Sequence, residues 1–524
     1  MILKIIMKKI LLSIVSLLTI QTAFAQTKQY TDGFFIVNED WFGHSNGSVN
    51  FVNKDNTVDY NIYKTTNPTE ELGVTTQYGT IYGDNFYLIS KQGNRLVVAD
   101  AKTLEQKATF GTIGGDGRTF VGVDAKKGYI GTSKGIYLFD IEKLQIGALV
   151  EGTDKVGQIA AMVRTSKYVF ATSQNGGILV IDPIKNTIKQ AVAGKFISLV
   201  QTKDGNIWGA LETKLVKIDP TNLQTTEVSI PTAKIANTWG FWNAGSYCAA
   251  TQSNDIYFAS GINIIKFDAT TEKFDEAFAK VPGQDTTPKQ TIYGAGLRID
   301  PASDNLILTT VGAGWGANSE QNWAHTITNK GELINTVKLS AYYWFPALPV
   351  FQDNAAPKIT DLDATYHINS ATTIDLKDKV SDTDNLASAI VKELEIIEND
   401  DIAEVSINEN DELVINPLKS GTAKIKVSFN SNGKVVEQLM TISTAVLGTN
   451  DLTKSAVNIY PNPVNNVLFI EVKEADKAEI YNITGTKITE KTLQKGKNQL
   501  EVSNLPKGVY IIKVNNSTFK IIKK

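Results

Sequence analysis

Short apolar runs broken by single polar positions dominate the chain from about residue 33 onward. Stretches with the three-to-four spacing of a helix face are absent there, and β-branched and aromatic residues fill the runs. Five segments share one frame: "NFYLISKQGNRLVVADAKT", "GYIGTSKGIYLFDIEK", "YVFATSQNGGILVIDPIKN", "NIWGALETKLVKIDPTN" and "DIYFASGINIIKFDATT". Each is a strand, a short turn, and a second apolar strand that ends in aspartate. The closing residues are Asp100, Asp140, Asp182, Asp219 and Asp268, a period of roughly 40 residues, as expected for propeller blades of four short strands. Each aspartate reads as a cap on the turn into the fourth strand, without chemistry of its own.

Two further units complete a count of seven, one from Gly33 ("GFFIVNEDWFGHSNGSVNFVNKD") and one containing "GLRIDPASDNLILTTV". The first lacks an innermost strand, and "AYYWFPALPVF" (Ala341–Phe351) is placed to supply it. Ring closure of this kind removes exposed sheet edges. The expected fold is therefore all-β: a seven-bladed β-propeller over 30–352, favoured over an array of β-sandwiches by the regularity of the units.

In such a ring the loops between second and third strands emerge on the same face as the connections between blades. Three aromatic-rich loops are assigned to that face: "EDWFGHSNG", "NTWGFWNAG" and "GAGWGANSEQNWAH". They hold Trp41, Trp239, Trp242, Trp315 and Trp323, while Trp208 falls in a strand pattern and reads as core. Trp344, in the closing segment, is expected near the channel mouth. Amphipathic rings on glycine-rich loops beside a channel suit the lining of a ligand site; they also suit sealing of the ring, and both readings stay open. In the nonapeptide, alternation sets Trp239 and Phe241 on one side and Trp242 on the other. The remaining candidates on the face are Asp40, Phe42, His44, Lys91, Gln92, Asn94, Arg118, Asn318, Glu320 and His325. His44 and His325, on neighbouring blades after closure, are candidate metal or cofactor ligands set against a reading as ordinary surface histidines.

Composition narrows the function. The net charge is −3, and of 52 lysines plus arginines only Arg95, Arg118, Arg164 and Arg298 are arginine. With no basic cluster, nucleic acid is not an expected partner. One cysteine, Cys248, allows no internal disulfide. Three histidines and the absence of HExxH, CxxC or GxSxG patterns point away from an enzyme. No catalytic residue and no cofactor are assigned, apart from calcium as a possibility at Asp382 and Asp384 in the acidic "SDTDN" turn.

Lys4, Lys8 and Lys9 precede an apolar run that ends in Ala23-Phe24-Ala25, the pattern of a signal peptide over 1–25. Beyond the ring, "AEVSINEN", "ELVINPL" and "TAKIKVSFN", with turns at Ser420-Gly421 and Asn432-Gly433, predict an Ig-like or cadherin-like β-sandwich over 356–446, with the default role of a spacer. Alternating strands over 457–524 predict a small C-terminal β-sandwich.

Two stretches resemble known families. "GFFIVNEDWFG" and "YYWFPALPVF" resemble exported seven-bladed propellers related to the YncE-like group, long filed as a domain of unknown function. Some of those relatives are outer-membrane lipoproteins that capture cobalamin and pass it to a transporter. The resemblance implies a surface nutrient-binding role, with a corrinoid or other tetrapyrrole as a possible ligand and an outer-membrane transporter as a possible partner. This chain departs from them in lacking a lipobox and in carrying C-terminal domains. "NIYPNPVNNVLFIEV", "AEIYNITGTKI" and "NQLEVSNLPKGVYIIKV" resemble the type A sorting domain of type IX secretion substrates. That implies passage through the type IX machinery to the cell surface or medium. The expected function is small-molecule capture on the aromatic face. The alternatives are adhesion to a protein or glycan and, from another class, a carboxylate-dependent enzyme.

Overall fold

The computed structural model describes residues 28–239, 245–352, 355–445, 457–514 and 517–524. The signal-peptide reading lies outside the described residues. The chain divides into two compact units that part after Ala445.

The first unit contains seven four-stranded antiparallel sheets between Gly33 and Phe351. Six are built from consecutive strands. The other joins the two ends of this region: Pro346–Phe351 pairs with Gly33–Asn38, which pairs with Ser48–Asn53. The innermost strands (Val74–Tyr82, Gly117–Gly122, Ile159–Arg164, Ser198–Gln201, Tyr247–Ala249, Gln290–Ile299 and Pro346–Phe351) neighbour one another in a closed cycle.

Sequence pattern explains the position of each strand within its sheet. The third strands Leu96–Asp100 and Gly177–Asp182 are buried along nearly their whole length, so both faces are apolar. The outermost strand Gln106–Phe110 alternates part-buried and exposed positions, as a half-solvated strand must. The closing aspartates cap their turns. Asp100 accepts from the N–H groups of Lys102 and Thr103, and Asp182 from those of Ile184 and Lys185. In each of these turns one residue adopts the left-handed region: Leu104, Leu144, Asn186, Leu223 and Glu272.

Residues 358–444 form a four-stranded, a three-stranded and a two-stranded sheet around one core that includes Ile390, Leu413, Ile425, Phe429 and Ile442. The longest hairpin, Gly421–Ser431 with Lys434–Thr444, turns at Asn432 (φ 45°) and Gly433 (φ 85°), the left-handed pair that a two-residue hairpin requires. Its tip is docked on the ring. Gly83 N–H donates to Asn432 O at 2.8 Å, Asn432 Nδ2 donates to Ile81 O at 3.1 Å, and Asn430 Nδ2 bonds Tyr82 Oη at 3.1 Å. Lys434 pairs with Asp84, and Lys167 with Glu409 at 3.0 Å. The expected spacer is thus a cap, seated on the turns between innermost and second strands.

The second unit carries a three-stranded and a four-stranded sheet around Leu468, Ile470, Ile480 and Ile512. A turn at Thr484-Gly485 joins Asp476–Asn482 to Lys487–Leu493, and the final hairpin pairs Gly508–Val514 with Ser517–Lys523.

Candidate functional site

Alternating strand direction puts the loops between second and third strands and the inter-sheet connections on one face, opposite the docked domain. Loop 39–47 occupies that face between Gly33–Asn38 and Ser48–Asn53. Its backbone folds on itself: His44 and Ser45 N–H groups donate to Trp41 O, and Ser45 Oγ accepts from Trp41 N–H. Glu39 and Asp40 N–H groups donate to Phe345 O and Trp344 O, which fasten the loop to the segment entering the closing strand.

Five aromatic rings form a ladder from this loop inward. Trp41 stacks on His44 (centroids 3.8 Å) and on Tyr343 (4.7 Å), both at 25°. Tyr343 lies 6.3 Å from Phe345, and Phe345 lies 5.0 Å from Tyr293. At the inner end Tyr293 Oη donates to Glu39 Oε2 at 2.7 Å, and Gln77 Nε2 donates to the same oxygen at 3.0 Å. Burial and the Glu39 carboxylate both raise the Tyr293 pKa, so its hydroxyl stays a donor. At the outer end Tyr343 bonds Glu320, which raises the phenol pKa.

Charged groups border the ladder. Lys91 Nζ sits 5.9 Å over the Phe42 ring, and burial lowers its pKa while Glu39 opposes the shift. Arg118, on an innermost strand, is 7 % exposed and donates to Gln158 Oε1 at 2.6 Å; burial pushes its guanidinium down to about 9. Asp40 is buried and accepts from Ser48 Oγ at 2.8 Å; burial pushes its carboxyl up to about 8, the Ser48 bond opposing.

Not every predicted residue reaches this face. Trp323 and His325 belong to the strand Asn322–Ile327, because the loop is shorter than its glycine-rich composition suggests. Trp323 is buried with Lys338 over its ring. His325 is buried among Gln290 Oε1 (2.8 Å), Thr310 Oγ1 (3.1 Å) and Thr336 Oγ1 (2.9 Å), and burial lowers its pKa to about 4. The two histidines therefore do not share the face, and among the described residues no three His, Cys, Asp or Glu side chains gather as metal ligands. Trp344 stacks on Tyr60 (5.4 Å) and packs with Ile36, Val52, Ala324 and Val337, sealing the seam between the first and last sheets away from the channel mouth.

Trp239 Nε1 donates to Phe196 O at 2.9 Å, which also marks it as a seal. Phe241 and Trp242 lie outside the described residues. Asn94 holds Glu71 O and Asn318 holds Ala313 O, so both amides brace loops. Gln92, exposed, ends its strand. Asp384 accepts from the Ala355 N–H and Asp382 from the Asp384 N–H, the arrangement of a self-braced turn. Among the described residues predicted for this face, the aromatic rings most open to solvent are Trp315 (91 % exposed), Phe42 (62 %) and part of Trp41 (44 %). Sequence reading missed Glu39, Gln77, Tyr293, Tyr343 and Phe345; the "YYWF" run was the signal for two of them.

The fold defines a β-propeller-like protein that presents an aromatic face. The chain belongs to the family described as "Domain of unknown function (DUF5074)", which residues 32–352 match. Residues 458–524 match the "Secretion system C-terminal sorting domain", so the protein is carried by the type IX machinery to the cell surface or medium. No curated protein matches. Similar solved structures include a quinonprotein alcohol dehydrogenase-like protein of Bacteroides thetaiotaomicron VPI-5482, 17 % identical, covering 62 % of this chain and 79 % of that one (TM-score 0.47). The dihydro-heme d1 dehydrogenase NirN in complex with DHE is 8 % identical, with coverage of 82 % and 77 % (TM-score 0.37). The Pan2 WD40 domain of Neurospora crassa is 15 % identical, with coverage of 50 % and 78 % (TM-score 0.37).

Proposed function

We propose that this protein is a secreted seven-bladed propeller, capped by an Ig-like domain, that captures a ligand on its aromatic face. The observation that supports this is the ladder from His44 through Trp41, Tyr343 and Phe345 to Tyr293, which ends on buried Glu39. Such a stack holds the Trp41 indole at fixed orientation before any ligand arrives, which lowers the entropic cost of binding. A ligand with a flat face, a corrinoid or other tetrapyrrole among them, would stack there, with Lys91 and Glu320 at the rim. An outer-membrane transporter would be the natural recipient of such cargo. A second reading, a platform for a surface glycan or protein, is favoured by Trp315, which stands almost fully exposed between Gly314 and Gly316.

A binding screen of the full chain against cobalamin, haem and soluble glycans, repeated on Trp41→Ala/Trp315→Ala, tests both. Loss of the two rings is expected to weaken binding by several kcal/mol, at about 1.5–3 for each buried ring. Equal affinity of the double variant for its ligand would reject the face.

A further inference from the structure

Three of the four arginines lie on innermost strands: Arg118 on Gly117–Gly122, Arg164 on Ile159–Arg164 and Arg298 on Gln290–Ile299. Arg298 differs from the others in its surroundings. Its Nη1 donates to Gly245 O at 3.0 Å and Leu297 O at 2.7 Å, and among the described residues it enters no ion pair. Arg95, in contrast, pairs with Asp116 at 3.5 Å, and Arg164 has Asp124 and Glu393 as anionic neighbours. The groups coupled to Arg298 are the Cys248 thiol and the Tyr78 hydroxyl, both neutral because burial raises their pKa values.

Arg298 lines a cavity of about 410 Å³ on the channel side that the docked domain floors, with Asn432 and Asp384 at its base. The walls include Met162, Leu199 and Val350. A guanidinium carries five donors and a charge that cannot be shed at neutral pH. Part-buried at the cavity wall and bonded to two carbonyls, it keeps donors and charge for a further acceptor.

We infer that this cavity is a second binding site, for a small organic carboxylate seated head-first on Arg298 with its apolar body against Met162, Leu199 and Val350. A monoanion fits better than a phosphate dianion: among the described lining residues Arg298 is the only lysine or arginine, and Asp384 lines the same cavity. The site is separate from the aromatic face and does not rest on the function proposed for that face.

The test uses hexanoate against its uncharged isostere hexanamide on the full chain. Hexanoate is expected to bind by calorimetry and to slow modification of Cys248, the single thiol and a lining residue, by a small neutral thiosulfonate. Hexanamide should do neither. Arg298→Gln should weaken hexanoate binding about ten- to hundredfold, the range for a charge-assisted hydrogen-bonded pair. If Arg298→Gln does not fold, protection of Cys248 in the natural protein still decides. Equal effects of acid and amide, or no protection by either, overturn the assignment.

Discussion

The backbone N–H of Gly83 donates to the carbonyl of Asn432 across 2.8 Å, which ties a turn of the ring to the hairpin tip of the following domain. A Cβ at Gly433 would stand 2.4 Å from Gly83 N, and Gly433 also has a positive φ of 85°. Gly433→Ala should therefore lose the roughly 1–2 kcal/mol of the left-handed backbone and a further ~1–3 kcal/mol of steric conflict at the joint. Gly261→Ala, at φ 60° with nothing within 4 Å, should lose the backbone part alone. Thermal or denaturant unfolding of the two variants checks this; equal losses would show that the hairpin does not press on the ring.

Two buried titrating groups give stability an unusual pH profile. Asp40 is raised to about 8 in the folded chain, so the stability it contributes is full below its unfolded value and is lost as pH climbs through about 8. His325 is depressed to about 4, so its contribution is full above its unfolded value and is lost as pH falls through about 4. Between about pH 4 and 6.5 the two slopes oppose and cancel; from about 6.5 to 8 only the Asp40 slope acts, up to about 1.4 kcal/mol per pH unit. Denaturant titrations should show a plateau and then a decline. Asp40→Asn should abolish the decline, and His325→Gln should tilt the plateau downward with rising pH.

The tryptophans should separate by role in stability measurements. Trp315→Ala should change stability by no more than about 0.5 kcal/mol. Trp41→Ala loses its stack on Tyr343, about 0.5–1.5 kcal/mol. Trp344→Ala opens the seam between the first and last sheets and should cost about 3–5 kcal/mol. A large loss at Trp315 would mean that it packs.

Glu272 is exposed at φ 55° in a turn where the matching residue of another sheet is Asn186. Asparagine tolerates that region better than glutamate. Glu272→Asn should stabilise the chain by about 0.5–1 kcal/mol in chemical denaturation.

Removal of residues 458–524 should leave the protein inside the outer membrane. Cell fractionation of an expressing strain checks this, and an unchanged extracellular level would contradict the sorting role.

The parts most legible in the sequence were those set by local chemistry. The aspartate-ended strands announced both the sheets and their turns, since Asp100 and its counterparts act only on N–H groups two and three positions ahead. The strand missing from the first unit was also legible, because "YYWFPALPVF" had no other unit to join. Contacts between distant residues were not. His325 looked like a loop residue because its partners Gln290 and Thr336 belong to other strands of the same sheet. Asn432-Gly433 reads the same whether a hairpin tip faces water or another domain, so the docked cap left no local mark. Glu39 was overlooked beside showier aromatic neighbours, and its importance comes from Gln77 and Tyr293, which only folding brings near.

Pairing of Gly33–Asn38 with Pro346–Phe351 also sets a timetable. Gly33–Asn38 is synthesised first, and Pro346–Phe351 must follow before that sheet gains its last strand. Until then a hydrogen-bonding edge stays bare. An escort that occupies this edge, or delays folding until the whole span has appeared, would guard the chain during transit.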